Sequence, residues 1–459
     1  MLRFLENLAT SLWNKFLHRR SKARKHAGAG TTLGYLVADE QVTSHTIGVS
    51  LTRRTMHIAI LGKTGSGKSS LLKQMCLEDV HGDRGFTFFD LHGDTTPFLL
   101  AAIAEEERRR QEDLSERVIL ISPGDSATSV GLNPLEDKNP DFVHVAEFAD
   151  VLKQRWGLDH FGARTEELLR NSLFVLSANG LTLLELAPLL TLPGFRAKCL
   201  KQVPNAEVRQ YFEIRYGQAS DGMRAAMREP ILNKTSAFTA DPRFRHIVGQ
   251  RQSTFSIAEA MDSNSWILVD LHKGKLGAHA LTLASLLFTA IKNAIFTRTK
   301  RTLHTIFADE LQNFAAFDSD IETVLSEARK FGVSVVSANQ FLDQYPAAMR
   351  GAILSVGTHV FFQVSSADAG TISQMLDGGK PLAERLKNLP QRHFILKSSA
   401  DRLIEACVPT VQEPKANYRD LLNRVRALRA RPRPEIEREI EERHAKLART
   451  TDEVLHGWN

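Results

Sequence analysis

The stretch "HIAILGKTGSGKSSLL", His57 to Leu72, decides how this chain reads. A short apolar run (His57–Leu61) leads into Gly62-Lys63-Thr64-Gly65-Ser66-Gly67-Lys68-Ser69-Ser70, and a helical pattern, "SSLLKQMCLE", follows. Gly62, Gly67, Lys68 and Ser69 fit G-x-x-x-x-G-K-[ST], in the strand–loop–helix order that a phosphate-gripping loop requires. Glycines let consecutive backbone N–H groups curl around an anion without Cβ clashes. The helix N-terminus adds partial positive charge. The lysine reaches the β- and γ-phosphates of a nucleotide, and the serine hydroxyl ligates its Mg²⁺. The expected ligands are therefore ATP and Mg²⁺, with Gly62 to Ser70 as the binding loop.

Seven further apolar runs suit a buried parallel sheet: "FTFFD" (86–90), "RVILI" (117–121), "WILVDL" (266–271), "HTIFAD" (304–309), "VSVVSA" (333–338), "HVFFQV" (359–364) and "HFILK" (393–397). Helical stretches alternate with them, so the expected class is α/β with a mainly parallel sheet. The rhythm breaks between about 139 and 240, where only helical patterns occur, and this is read as an all-helical insertion. The expected division is a basic amphipathic segment at 1–30, a nucleotide-binding domain in two parts (31–138 and 241–415) around the insertion (139–240), and a charged helical tail (416–459) ending in an exposed helix.

"HTIFADE" ends a buried strand in Asp309–Glu310. The first acid is placed to hold the metal, with Ser69, and the second to polarise the attacking water. Downstream, "EARKFGVSVVSANQ" puts Gln340 at the end of the next strand, where a polar side chain can sense the γ-phosphate, and Arg329 in the preceding helix.

The chain has 459 residues, ample for two or three domains, with 42% hydrophobic and 24% charged residues, an ordinary globular composition. Its three cysteines, Cys76, Cys199 and Cys407, lie far apart in no metal-ligand spacing, which argues against a disulfide scaffold or a zinc site. The net charge of +6 belongs to two segments: residues 1–30 carry seven Lys/Arg and one Glu, and residues 419–434 carry six Arg and one Asp. The body between is slightly acidic, so the charge does not describe a uniformly basic surface. No transmembrane helix is expected, because no window approaches 18 uninterrupted apolar residues. Residues 1–18, with Leu5, Leu8, Leu12, Trp13 and Phe16 at helical spacing before a basic run, form an expected amphipathic helix. Such a helix can lie on an anionic membrane surface, dock on a partner or pack on its own domain. "HAGAGTTLG" (26–34) reads as a flexible linker.

Together "GKTGSGKS", "FFDLHGD", "GLNPL", "FGARTEELLRNSL", "ADELQNF" and "LSEARKFGVSVVSANQFLDQ" resemble the HerA–FtsK superfamily, and within it the TraG/TraD-type coupling proteins of type IV secretion and conjugation. The resemblance runs from about residue 50 to about 410. It implies a RecA-like motor assembled as a hexameric ring that pumps DNA through a central channel. ATP would sit between subunits, and an arginine from one subunit would complete the site of the next. It aligns Arg329 with that arginine and Gln340 with the sensor glutamine, and it offers Arg53 or Arg54 as a second arginine. It gives Lys68, Glu310, Arg329 and Gln340 catalytic roles, and makes His92 and Asp94 structural or coupling residues. It identifies the insertion with the all-α domain of coupling proteins, and implies DNA, relaxase or secretion components and effector proteins as partners. A cytoplasmic location follows, with peripheral contact at the inner membrane face through residues 1–25. Three other readings remain open: a HerA-like helicase or translocase, a secretion ATPase acting on protein, and a nucleotide-binding module with little turnover.

Overall fold

A computed structural model describes residues 30–136, 142–313, 318–398 and 403–456. The expected amphipathic helix at 1–18 lies outside them. The strands are β1 (Gly30–Ala38), β2 (Gln41–Ser50), β3 (Ile58–Leu61), β4 (Gly85–Asp90), β5 (Val118–Ile121), β6 (Thr128–Ser129), β7 (Trp266–Asp270), β8 (His304–Asp309), β9 (Val333–Asn339), β10 (Thr358–Phe361), β11 (His393–Lys397), β12 (Ile404–Cys407) and β13 (Arg431–Pro432).

Eleven of them form one sheet in the order β2-β1-β12-β11-β10-β3-β9-β8-β4-β7-β5. From β10 to β5 every neighbouring pair is parallel. All seven strands therefore end at one edge, where β3 delivers Gly62, β8 Asp309 and β9 Asn339–Gln340. The eight apolar runs are all strands, because each is covered on both faces. Alternate residues serve opposite sides: Ala59 and Leu61 join one buried cluster with the helix His279–Thr297, and Ile58 and Ile60 join another with the helices Lys68–His81 and Thr95–Arg110. The first cluster continues without a break into the helices between Phe142 and Asp262, through Phe148, Leu152, Leu168 and Phe244.

The linker reading of 26–34 is corrected from Gly30 onward. Gly30–Gly34 open β1, which pairs antiparallel with β12 and β2 at the far side of the sheet. Asp39 and Glu40 turn the chain with φ of 51° and 60°, the left-handed pair of a tight hairpin. β2 is largely exposed and polar, so it carries no buried-strand signal. The exposed tail helix is also corrected. In the helix Arg433–His456, Ile436 and Ile440 are buried, and Arg443 donates to the fully buried Glu185 at 2.7 Å. β13 pairs with β6 just before it.

Among the described residues one helix, His279–Thr297, is long and apolar enough to cross a membrane by composition, yet 72% of its apolar window is buried inside the protein. It serves as a core helix.

Arg54 is a third correction. It is fully buried, its guanidinium held by Asp79, by Thr31 Oγ1 at 2.9 Å and by Thr305 Oγ1 at 2.9 Å. Such a side chain cannot be presented to a neighbouring subunit. Arg84 Nε reaches the same Asp79 carboxylate at 2.7 Å. Arg54→Met removes one side of a buried pair and is expected to destabilise the chain by about 3 kcal/mol, whereas Arg54→Met with Asp79→Leu recovers most of it. Chemical denaturation of the three chains checks this.

Candidate nucleotide site

Gly62 follows β3 directly, and its N–H donates to Asn339 O at 3.1 Å. A Cβ at Gly62 would meet Phe362 Cβ at 2.5 Å and Ser66 Oγ at 2.7 Å, so no side chain fits. Gly67 has φ of 124°, a conformation open only to glycine, and it caps the helix Lys68–His81. The loop is braced from the β10–β11 side: Lys63 N–H donates to Gln363 O at 2.7 Å, Arg392 N–H to Ser66 O at 2.8 Å and Gln391 Nε2 to Gly65 O at 3.2 Å. Ser66 Oγ is buried without a hydrogen-bond partner among the described residues. An unmet buried polar atom in a glycine-rich loop before a helix N-terminus suits an anion.

Lys68 is buried and curls back over the loop, donating to Gly62 O at 2.6 Å and Lys63 O at 3.1 Å. Burial lowers its pKa, opposed by the carboxylates of Asp309 and Glu310. Ser69 is exposed and Ser70 half-buried, both in the first helical turn.

Asp309 ends β8, and its carboxyl is pushed up to about 6, chiefly by burial; Lys68 and His92 act against this, Glu310 and Asp94 with it. Burial here outweighs the Lys68 charge, and a divalent cation would add the positive charge that favours the ionised form. Glu310 has φ of 58° and donates its N–H to Ala338 O at 2.8 Å. Its Oε2 accepts from Asn313 Nδ2 at 2.7 Å, and its Oε1 faces Gln340 Nε2 at 3.5 Å. Thr64 Oγ1 in the phosphate loop donates to Gln340 Oε1 at 3.2 Å. Gln340 thus stands between the loop and the acid pair. The structure brings Lys68, Asp309, Glu310 and Gln340 to one place. Among the described residues no three His, Cys, Asp or Glu side chains converge as a metal cage. Ser69 and Asp309 suit Mg²⁺, which keeps waters and shares its shell with substrate phosphates.

Arg329 lies elsewhere. It is exposed, in the turn Ala328–Phe331 before β9, and its guanidinium makes no hydrogen bond or ion pair among the described residues. The seven residues of β9 separate it from Gln340, about 23 Å along a strand. It cannot serve the phosphate loop of its own chain. Arg53 is half-buried, its guanidinium on Ser398 O.

Several residues of the site were not legible in sequence. Asp90, ending β4, accepts N–H bonds from Gly93 (2.7 Å), Thr95 (3.0 Å) and Thr96 (2.7 Å), holding the turn whose exposed His92 and Asp94 act on Asp309 only through space. Gln344 Oε1 accepts the N–H of Gln340 at 2.9 Å, and Asn339 holds Gln312 and Tyr345. The polar "ANQ" closing an apolar strand was the available signal.

Residues 31–173 match the model of the helicase HerA central domain, and residues 218–391 that of the type IV secretion-system coupling protein DNA-binding domain. No curated protein matches the chain. Among solved structures, the chain is 16% identical to the bacterial conjugative coupling protein TrwBdeltaN70, with 87% of this chain and 92% of that one covered and a TM-score of 0.61. Against the plasmid coupling protein TrwB in complex with ADP and Mg²⁺ the values are 15%, 81%, 88% and 0.56. Against VirB4 of Thermoanaerobacter pseudethanolicus they are 15%, 84%, 98% and 0.57. These likenesses establish the fold. The two family matches fall on successive parts of the chain, each on less than half of it, so the chain is similar to a HerA central domain in its first part and to a coupling-protein DNA-binding domain in its second, on the fold these structures share.

Proposed function

We propose that this chain is an ATP-driven DNA translocase of the coupling-protein kind, working as a hexameric ring that feeds DNA through its central channel. The observation that carries the reading is the meeting of the phosphate loop, the acid pair and Gln340 at one sheet edge, in a chain whose second half matches a coupling-protein DNA-binding domain. Residues Gly62 to Ser70 bind ATP, and Lys68 neutralises its β- and γ-phosphates. Ser69 and Asp309 would hold Mg²⁺, whose charge would stabilise negative charge on the phosphate oxygens. Glu310 orients and deprotonates the attacking water. Gln340 senses the γ-phosphate, and Arg329 completes the site of the neighbouring subunit. The helical stretch 139–240 serves as an inserted domain facing relaxase or effector partners, and residues 1–25 supply peripheral contact with the inner face of the cytoplasmic membrane.

Loss of the γ-phosphate loosens the Lys68, Gln340 and Arg329 contacts, and subunits turn against one another. Channel loops then step along the DNA backbone, gripping phosphates without base readout. Glu310→Gln is expected to keep nucleotide binding and to lower turnover about 10²–10⁴-fold, the usual loss for a general base; nucleotide titration beside phosphate release measures both.

Steady-state ATPase with and without DNA tests the reading. DNA is expected to raise the rate several-fold. The likeness to VirB4 favours a second reading, a secretion ATPase acting on protein, and a rate indifferent to single- and double-stranded DNA would select it.

A further inference from the structure

His57 opens the strand that enters the phosphate loop, yet it sits at the opposite edge of the sheet, beside the Arg329 turn. The β3–β9 ladder starts one residue later, with Ile58 opposite Val336. At His57 itself the backbone turns away with φ of 66°, a left-handed conformation that a β-carbon residue rarely adopts. The imidazole then takes over the place of the missing ladder rung. Its Nδ1 accepts the backbone N–H of Val335 at 3.0 Å, on β9. Since a backbone amide can only donate, Nδ1 carries no proton, and Nε2 must donate to the carbonyl of Leu325 at 2.9 Å. Leu325 belongs to the helix Asp318–Glu327, which runs straight into the Arg329 turn.

The ring is buried and both nitrogens are satisfied in the neutral tautomer. Its pKa is lowered to about 4, mostly by burial and in part by the Arg329 guanidinium, so the bridge keeps one form at any physiological pH. The floor beneath it is pinned as well: Ser334 Oγ donates to Arg54 O at 2.7 Å, and Gly357 N–H to Met56 O at 2.7 Å. Strained backbone held this firmly is a recurrent mark of functional positions.

We infer that His57 is a positioning residue that couples the strand feeding the phosphate loop to the turn presenting Arg329, so that the nucleotide state of one site is passed to the arginine offered to the next subunit. The inference rests on the reading of Arg329 as an arginine acting in trans. His57 would touch neither nucleotide nor metal. Its effect would appear in turnover at the neighbouring site and leave nucleotide affinity at its own site alone.

Complementation between two defective chains tests this. Lys68→Ala chains keep the arginine, and Arg329→Ala chains keep the nucleotide site, so mixed rings regain ATPase activity at interfaces where the first serves the second. His57→Asn, which tolerates the left-handed backbone and still accepts from Val335 but loses the reach to Leu325, is then placed in one chain or the other. His57→Gln, which reaches Leu325, serves as a second variant should the first fail to fold in a thermal melt. The expected result is at least a tenfold loss of the regained activity with the substitution in the Lys68→Ala chain, and less than a threefold change with it in the Arg329→Ala chain. Binding of a fluorescent ATP analogue stays within threefold of wild type. Equal losses in both placements, or a loss only in the Arg329→Ala chain, overturn the inference while leaving Arg329 in trans. Absence of any complementation overturns both.

Discussion

Lys68→Ala is expected to lower ATP turnover by on the order of 10²–10³-fold or more, the loss seen when one preorganised charge-stabilising donor is removed. Lys68 is a buried cation whose hydrogen-bonding partners are the loop carbonyls of Gly62 and Lys63. Those contacts are local and replaceable by water, so the alanine chain keeps its fold and a thermal melt close to wild type. The catalytic loss has two sources. The γ-phosphate loses its nearest fixed positive charge, and the Asp309–Glu310 pair loses the cation that offsets it. Phosphate release measured beside the melt separates chemistry from folding. A Lys68→Ala chain with more than a tenth of wild-type turnover contradicts the assignment of this loop as the ATP site.

Arg329→Ala carries an effect of similar or greater size. An arginine supplied in trans is worth about 10³–10⁵ in turnover. Arg329 is exposed, lacks an ion-pair partner among the described residues and stands a full strand length from its own phosphate loop. Its substitution should leave folding and nucleotide affinity nearly unchanged. Mixed with Lys68→Ala chains, the Arg329→Ala chain should regain activity above the sum of the two alone, because a neighbour's arginine serves its intact site. A mixture no more active than that sum contradicts action across a subunit boundary.

How much of this was legible in the sequence depended on burial. Strands covered on both faces, such as "HTIFAD" and "VSVVSA", are continuous apolar runs and were found. The phosphate loop was legible because its glycines and lysine sit at a fixed spacing that geometry demands. β1, β2 and β12 were not, since β2 is exposed and β1 and β12 pair with each other from far apart in the chain. The tail helix looks solvated because its charges outnumber its apolar residues, but two isoleucines and the Arg443–Glu185 pair suffice to seat it. Arg54 and Arg329 show the limit most plainly. Both are arginines flanking a strand, and only the three-dimensional structure tells that one faces a buried aspartate and the other faces outward. Asp90 and Gln344 act by collecting backbone N–H groups, a role with no spacing signature of its own.

The central claim is that ATP hydrolysis in this chain belongs to a seam between like subunits. Specific ATPase activity measured across protein concentration, with sedimentation velocity on the same samples in the presence of ATP and DNA, tests it most directly. The account predicts that turnover per chain rises as rings assemble and falls away on dilution to monomers. A chain that sediments as a strict monomer under these conditions, yet hydrolyses ATP at its full rate, contradicts it.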